Sequence, residues 1–160
     1  MSATQRTLQF LRRRGLRADI AERWNAFSKP FGNRRDLFGW IDILAYSPDW
    51  GVIGVQSCTA GTRKEHKTRM LVDCREAVST WLESRCVAEL WVWRKLKVVR
   101  GGFKKVWSPL VSVFCLPGQD VSEHVRRLEE FFSGSRLKGW KVETVVLSEA
   151  CLERDRPASL

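Results

Sequence analysis

The chain has one tyrosine, two methionines and two histidines, and nowhere an apolar run long enough to span a bilayer. So few histidines, beside five cysteines that form no C-x-x-C pair, offer little from which to build a zinc site. The cysteines (Cys58, Cys74, Cys86, Cys115 and Cys151) are odd in number, widely spaced and set in apolar surroundings. That pattern fits buried thiols in a reducing compartment better than a disulfide framework. No G-x-G-x-x-G is present, and Gly101-Gly102 lacks the lysine and serine of a phosphate-cradling loop, so nucleotide binding of that kind is excluded. Neither His66 nor His124 has a serine or cysteine partner that the sequence identifies, which disfavours nucleophilic catalysis by a triad. The first residues, Met1 to Leu16, are interrupted by Arg6 and by Arg12, Arg13 and Arg14. They lack the apolar stretch of a signal peptide, and a cytoplasmic protein without membrane contact is expected.

What the chain does have is aromatic bulk and positive charge. Eight Trp, eight Phe and 44% hydrophobic residues in a chain of 160 suffice for one domain with a sizeable core. The formal charge of +10 favours a polyanionic partner, with nucleic acid first. The excess is clustered: residues 1–35 are strongly basic, and 94–105 contain basic side chains and no acidic one. Clustering makes a face, whereas an even scatter would serve only solubility.

Periodicity predicts a short basic helix around Leu8, Phe10 and Leu11 that Gly15 stops, a weak strand over 19–24, and a loop over 25–35 marked by Pro30, Gly32 and Asn33. Two apolar runs, 36–46 and 52–58, read as a hairpin across Ser47-Pro48-Asp49-Trp50-Gly51. A long helix follows over 63–84, then strands over 87–97 and 106–116, a helix over 120–132 and a last strand over 140–147. Pro109 places the second of those strands at an edge. The order helix, strand, strand, strand, helix, strand, strand, helix, strand gives an α/β (α+β) fold, a mixed central sheet flanked by helices.

An aspartate heading an apolar strand, a short turn, a second apolar strand with polar residues two apart, and then a helix is the layout of Trp40-Ile41-Asp42-Ile43-Leu44-Ala45-Tyr46 and Val52-Ile53-Gly54-Val55-Gln56-Ser57-Cys58. This stretch resembles the core hairpin of the PD-(D/E)XK nucleases, with their restriction-enzyme-like, junction-resolvase-like and phage-encoded members. The resemblance covers about residues 5 to 97. It implies one nuclease-like domain over 1–155, with that core, a C-terminal strand-helix-strand elaboration over 98–155, and a flexible tail over 156–160. It also implies metal-assisted phosphodiester hydrolysis, in which carboxylates hold Mg²⁺ (or Mn²⁺) and a lysine supports the nucleophile. Asp42 matches the first aspartate of the motif. The second element departs from it: in one register Gly54 and Gln56 stand at the acid and the lysine, in the other Gln56 and Cys58 do. Either way one charged group is missing, although a Gln carbonyl can still ligate a metal.

Asp36, six residues before Asp42 and on the same face of a regular strand, and Glu22 on the preceding strand are the candidate additional metal ligands beside Asp42 and Gln56. Lys64 and Lys67, at the start of the next helix, are the candidates for the missing lysine. Each has a plainer reading: Asp42 as the buried partner of Arg34 or Arg35, Gln56 as a satisfied edge group, Asp36 and Glu22 as surface ion pairs, and the lysines as a solvated helix face. Phosphate contacts are expected from Arg12, Arg13, Arg14, Arg34, Arg35, Arg94, Lys95, Lys97 and Arg100. Trp91 and Trp93, alternating with them, read as core. Three functions remain open: a Mg²⁺-dependent DNA endonuclease of phage or mobile-element type, a decayed nuclease-like fold that binds nucleic acid without cutting, and a basic protein-interaction module. A homodimer is compatible with each.

Overall fold

The computed structural model describes residues 1–27 and 29–148. The tail over 156–160 and Cys151 lie outside the described residues. The fold is a mixed α/β sandwich. A six-stranded sheet runs in the order β1 (Arg17–Ile20), β4 (Ile43–Ser47), β5 (Gly51–Thr59), β6 (Val87–Lys97), β7 (Lys105–Cys115) and β8 (Lys141–Val146). A separate two-stranded ribbon pairs β2 (Arg23–Asn25) with β3 (Asn33–Arg35). The β5–β6 and β7–β8 pairs are parallel and the other pairs antiparallel. Parallel neighbours need a crossover. The first is a helical segment built of α2 (Arg63–Thr68) and α3 (Arg75–Glu83), the second α4 (Ser122–Ser133).

Two cores sit on the two faces. One packs Met70, Leu71, Val78 and Leu82 of the first crossover against Cys58, Leu90, Val92 and Phe114. The other packs Leu8 and Leu11 of α1 (Ala3–Arg13) and Leu128 and Phe132 of α4 against Ile53, Val55, Trp91 and Trp93. The central strands are therefore apolar on both sides, which is why β5 and β6 read as near-continuous hydrophobic runs. Trp91 and Trp93 are core residues, their indole N–H groups donating to Glu89 and to Thr7. Each large side chain withdrawn from water contributes roughly 2 to 3 kcal/mol. Helix α1 starts at Ser2, whose hydroxyl accepts from the Gln5 amide, and ends where Gly15 takes a positive φ of 81°.

The structure departs from the periodicity in four places. The helix expected over 63–84 is broken by a π-helical turn, Arg69–Asp73, closed by a hydrogen bond from the Cys74 amide to the Arg69 carbonyl. The extra residue lets Met70 and Leu71 both reach the core. The weak strand expected over 19–24 is split at Ala21 and Glu22 into the end of β1 and the start of β2, and the loop expected over 25–35 contains β3, which pairs with β2 in a ribbon whose short, wholly polar and aromatic strands carry no alternation to detect. Residues 36–42 do not extend β4. They turn back on themselves through Phe38 and Gly39, both at positive φ (55° and 81°), with an isolated bridge between Leu37 and Ile41. Finally, β7 is an interior strand. Pro109 is tolerated because β8 begins its pairing one residue later, at Leu110, so no ladder bond is lost there.

Candidate metal centre

The turn at Phe38-Gly39 matters because of what flanks it. With Leu37 bridged to Ile41, Asp36 and Asp42 come face to face across a three-residue reversal, Phe38-Gly39-Trp40. Their proximity was anticipated, but its cause is a hairpin and not the even spacing of one strand. Two carboxylates opposite each other repel unless a proton or a cation lies between them. Glu22 joins them from just beyond β1, because the Ala21 amide donates to the Asp42 carbonyl (2.8 Å) and fixes that chain beside the turn. Carboxylate oxygens of Glu22, Asp36 and Asp42 all lie within 4.8 Å of one another.

Strand β5 supplies the rest. Ile43 pairs with Val55, which sets Asp42 opposite Gln56. The Gln56 amide donates to Asp42 Oδ2 (2.6 Å), and the Ser57 backbone N–H donates to the same oxygen (2.8 Å). Of the residues weighed for the second element, it is Gln56 that lies beside Asp42. Gln56 is 1% exposed, and among the described residues its carbonyl oxygen Oε1 has no hydrogen-bond partner. A buried orphan acceptor is costly, and turning the amide over would bring that oxygen to the side of Asp42, where a cation at the cluster would satisfy it. Gly54 cannot stand in for an acid, since a side chain there would collide with Trp40 and Ile41 at under 3 Å.

Electrostatics agree with the geometry. Burial, and after it the facing Asp36, push the Asp42 carboxyl up to about 7, against the lowering effect of the Ser57 amide. Burial pushes the Cys58 thiol up to about 11, so it stays protonated and cannot replace a lysine. The plainer reading of Asp42 as a partner of Arg34 or Arg35 does not hold: Arg34 pairs with Glu22 (3.1 Å), and Asp36 pairs with Arg69 (3.2 Å) from the π-helical turn.

The structure turns Lys64 and Lys67 toward a groove of about 700 Å³ between α2 and β8, which they line with Arg63, Thr68 and Thr144. His66 and Arg69 take the other side of the segment. His66 feels the charges of Arg69 and Asp36, burial and Arg69 hold its pKa below the ordinary histidine value, and its Nδ1 is buried without a partner among the described residues. The sequence carried one clue to His66: it sits three residues before Arg69, one helical turn along the same face.

Of the expected phosphate contacts, Arg12, Arg13, Arg34, Arg35, Lys95, Lys97 and Arg100 are exposed. Arg94 is half-buried and donates to the carbonyls of Pro109 and Gly139. Arg14 is not a surface group at all. Its side chain is fully buried in a salt bridge with Glu89 (3.1 Å), and it lies over the Trp50 ring at 4.1 Å. Glu89 also meets His124 Nε2 (2.7 Å) and the Trp91 indole (2.7 Å). Burial pushes the Glu89 carboxyl up, but Arg14 and His124 outweigh it and hold it below the usual carboxylate range. This network tethers α1 and α4 to β6 on the face of the sheet away from the cluster. The run Arg12-Arg13-Arg14 hid it, because a third arginine in a row looks like more of the same surface charge.

Among the described residues no helix is long and apolar enough to cross a membrane. Comparison of the chain with protein-family models, with curated proteins and with solved structures found no match.

Proposed function

We propose that the chain is a metal-dependent DNA endonuclease whose centre is formed by Asp42, Asp36, Glu22 and Gln56. The observation that carries this reading is the gathering of three carboxylates within 4.8 Å of one another around the buried Asp42. Carboxylate oxygens from separate segments suit Mg²⁺ or Mn²⁺, and turning over the Gln56 amide, whose nitrogen now faces Asp42, would add a fourth hard oxygen donor. The order helix, strand, hairpin, crossover helix, strand up to residue 97 also agrees with the resemblance to PD-(D/E)XK nucleases. When bound, the ion supplies positive charge that polarises a phosphate oxygen and activates water. Asp42 and Asp36 bring the negative charge that holds it. Ser57 fixes Asp42 through its backbone N–H, and Arg69 fixes Asp36. His66, whose pKa burial and Arg69 hold below the ordinary histidine value and whose Nδ1 has no partner among the described residues, is the group we assign to accept the proton of an attacking water.

A second reading, a nuclease-like fold that binds DNA without cutting it, is favoured by one observation: Cys58, which one register puts at the lysine place, is a buried, protonated thiol. Incubation of supercoiled, linear and branched DNA with the protein in low salt, with Mg²⁺, Mn²⁺ or chelator, separates the two. Metal-dependent nicking lost in Asp42→Ala supports the endonuclease. Binding without cleavage supports the second reading.

A further inference from the structure

The β2–β3 ribbon projects from the two roots that carry Glu22 and Asp36, and it is covered with aromatic rings in contact with solvent. Phe27 is 94% exposed, Phe31 86% and Trp24 60%. A small domain that buries Trp40, Trp91 and Trp93 completely has no folding reason to hold three aromatics in water. The charge of the ribbon is equally one-sided. Arg23 and Arg35 are direct cross-strand partners, a like-charge pairing that costs stability unless an anion bridges it. Trp24 stands opposite Arg34 and lies against Gly32, where a Cβ would come within 2.6 Å of the indole, so the glycine keeps the ring flat on the ribbon.

Strand register places a second such element at the same end of the sheet. β5 ends at Thr59, opposite Trp93, while β6 runs on past it to Lys97 and turns back into β7. The turn beyond carries Arg100, Lys104 and Phe103, which is 98% exposed. Asp42 lies level with Gln56, toward that same end of β5. Gln56 pairs with Leu90, and β6 runs seven residues further to Lys97, so with about 3.3 Å per residue and about 4.8 Å between strands the roots of the two projections lie on the order of 25 Å apart, with the acidic cluster at the root of the ribbon.

Resting on the nucleic-acid reading above, we propose that these two aromatic-tipped, basic projections grip unpaired bases, and that the substrate is DNA with a single-stranded segment beside the cleaved phosphate. Duplex DNA hides its base faces and offers the rings nothing to stack on, whereas an unpaired base presents a π-face and a phosphate at the spacing of an aromatic and an arginine. An acidic protein would satisfy the charge but offers the rings no base faces, and an anionic membrane, which takes up rings and arginines without any preference for unpaired bases, is separated from DNA by the vesicle probe below.

The test is fluorescence anisotropy with fluorescein-labelled oligothymidine and with a duplex of the same length, in chelator so that no cleavage intervenes. Anionic phosphatidylserine vesicles serve as a third probe. The wild-type protein binds the single strand more tightly than the duplex. The Phe27→Ala/Phe31→Ala and Phe103→Ala variants each lose roughly tenfold per ring on the single strand, and little on the duplex. Because these rings are exposed, thermal unfolding stays at the wild-type temperature. Equal losses on both DNAs, no loss, or a preference for vesicles would overturn the proposal. Ring-dependent single-strand binding without metal-dependent cleavage would leave the grip standing and remove the endonuclease reading. Cleavage of duplex with no single-strand preference would do the reverse.

Discussion

Replacing Asp42 by Asn should make the metal-free protein more stable in alkaline solution, although it removes the residue most central to the proposed chemistry. The Asp42 carboxyl titrates at 3.8 in a free chain and at about 7 in the fold, chiefly because of burial. Between those values the folded protein holds a proton that the unfolded chain has released, so stability falls as pH rises through the window. At about 1.4 kcal/mol per unit the total loss is roughly 4 kcal/mol, complete once Asp42 is ionised. Asn at this position still accepts from Gln56 and Ser57 through its carbonyl oxygen, and its amide offers donors to Asp36 in place of a second negative charge. Urea unfolding measured from about pH 4 to about pH 8 should then show coincident stabilities at the acidic end. The curves diverge toward the alkaline end, where the variant is the more stable by up to roughly 4 kcal/mol. Saturating Mg²⁺ narrows the gap by about 2.7 kcal/mol at a hundredfold excess over Kd and closes it at about a thousandfold excess, because only the wild type gains binding free energy. Parallel curves, or a variant weakened at every pH, would refute the claim that Asp42 is a buried charge waiting for a cation.

Gln56→Glu should tighten divalent-ion binding, checked by calorimetry, and lower stability near neutral pH in chelator, since it adds a fourth carboxylate where an amide now donates to Asp42. Glu89→Gln should cost roughly 3 to 5 kcal/mol by leaving the Arg14 guanidinium buried without its counter-ion, read from chemical unfolding. Because the Glu89 pKa is depressed, its stabilisation is complete above the ordinary value of 4.5 and is lost as pH falls below it; the variant's acid limb should be shallower than the wild type's. Lys95→Ala combined with Lys97→Ala should weaken DNA binding uniformly across sequences and reduce the salt slope by up to about 2, without shifting the melting temperature.

Much of the fold was legible because the apolar runs are long and the central strands are buried on both faces. Ile43 to Tyr46, Val52 to Cys58 and Val87 to Trp93 announce themselves as strands, and α1, α4 and β8 follow from simple periodicity. The ribbon at Arg23–Asn25 and Asn33–Arg35 did not, because it rests on no core and leaves no alternation in the residues. The π-helical turn was invisible for a related reason: Arg69 to Asp73 fits an ordinary helix in sequence, and only packing of Met70 and Leu71 against the sheet demands the extra residue. At the candidate site Asp42 and Gln56 could be read from strand alternation, and Asp36 was reached by the wrong geometry, since the positive φ of Phe38 is a conformation its side chain does not advertise. The side of the helix that meets the cluster could not be chosen without the sheet. Hence the expectation fell on the lysines at 64 and 67, which line the groove beside β8, and passed over Arg69, which pairs with Asp36, and His66, which feels the charge of Asp36. Arg14 was misjudged because burial of a guanidinium depends on a carboxylate 75 residues away.

The most direct test of the metal centre is the anomalous scattering of crystals soaked in Mn²⁺. One peak among the carboxylates of Glu22, Asp36 and Asp42 and in contact with Gln56 Oε1, lost in Asp42→Asn crystals, is the predicted result. A map without a peak there at saturating Mn²⁺, or with the ion bound only elsewhere on the molecule, would contradict the account.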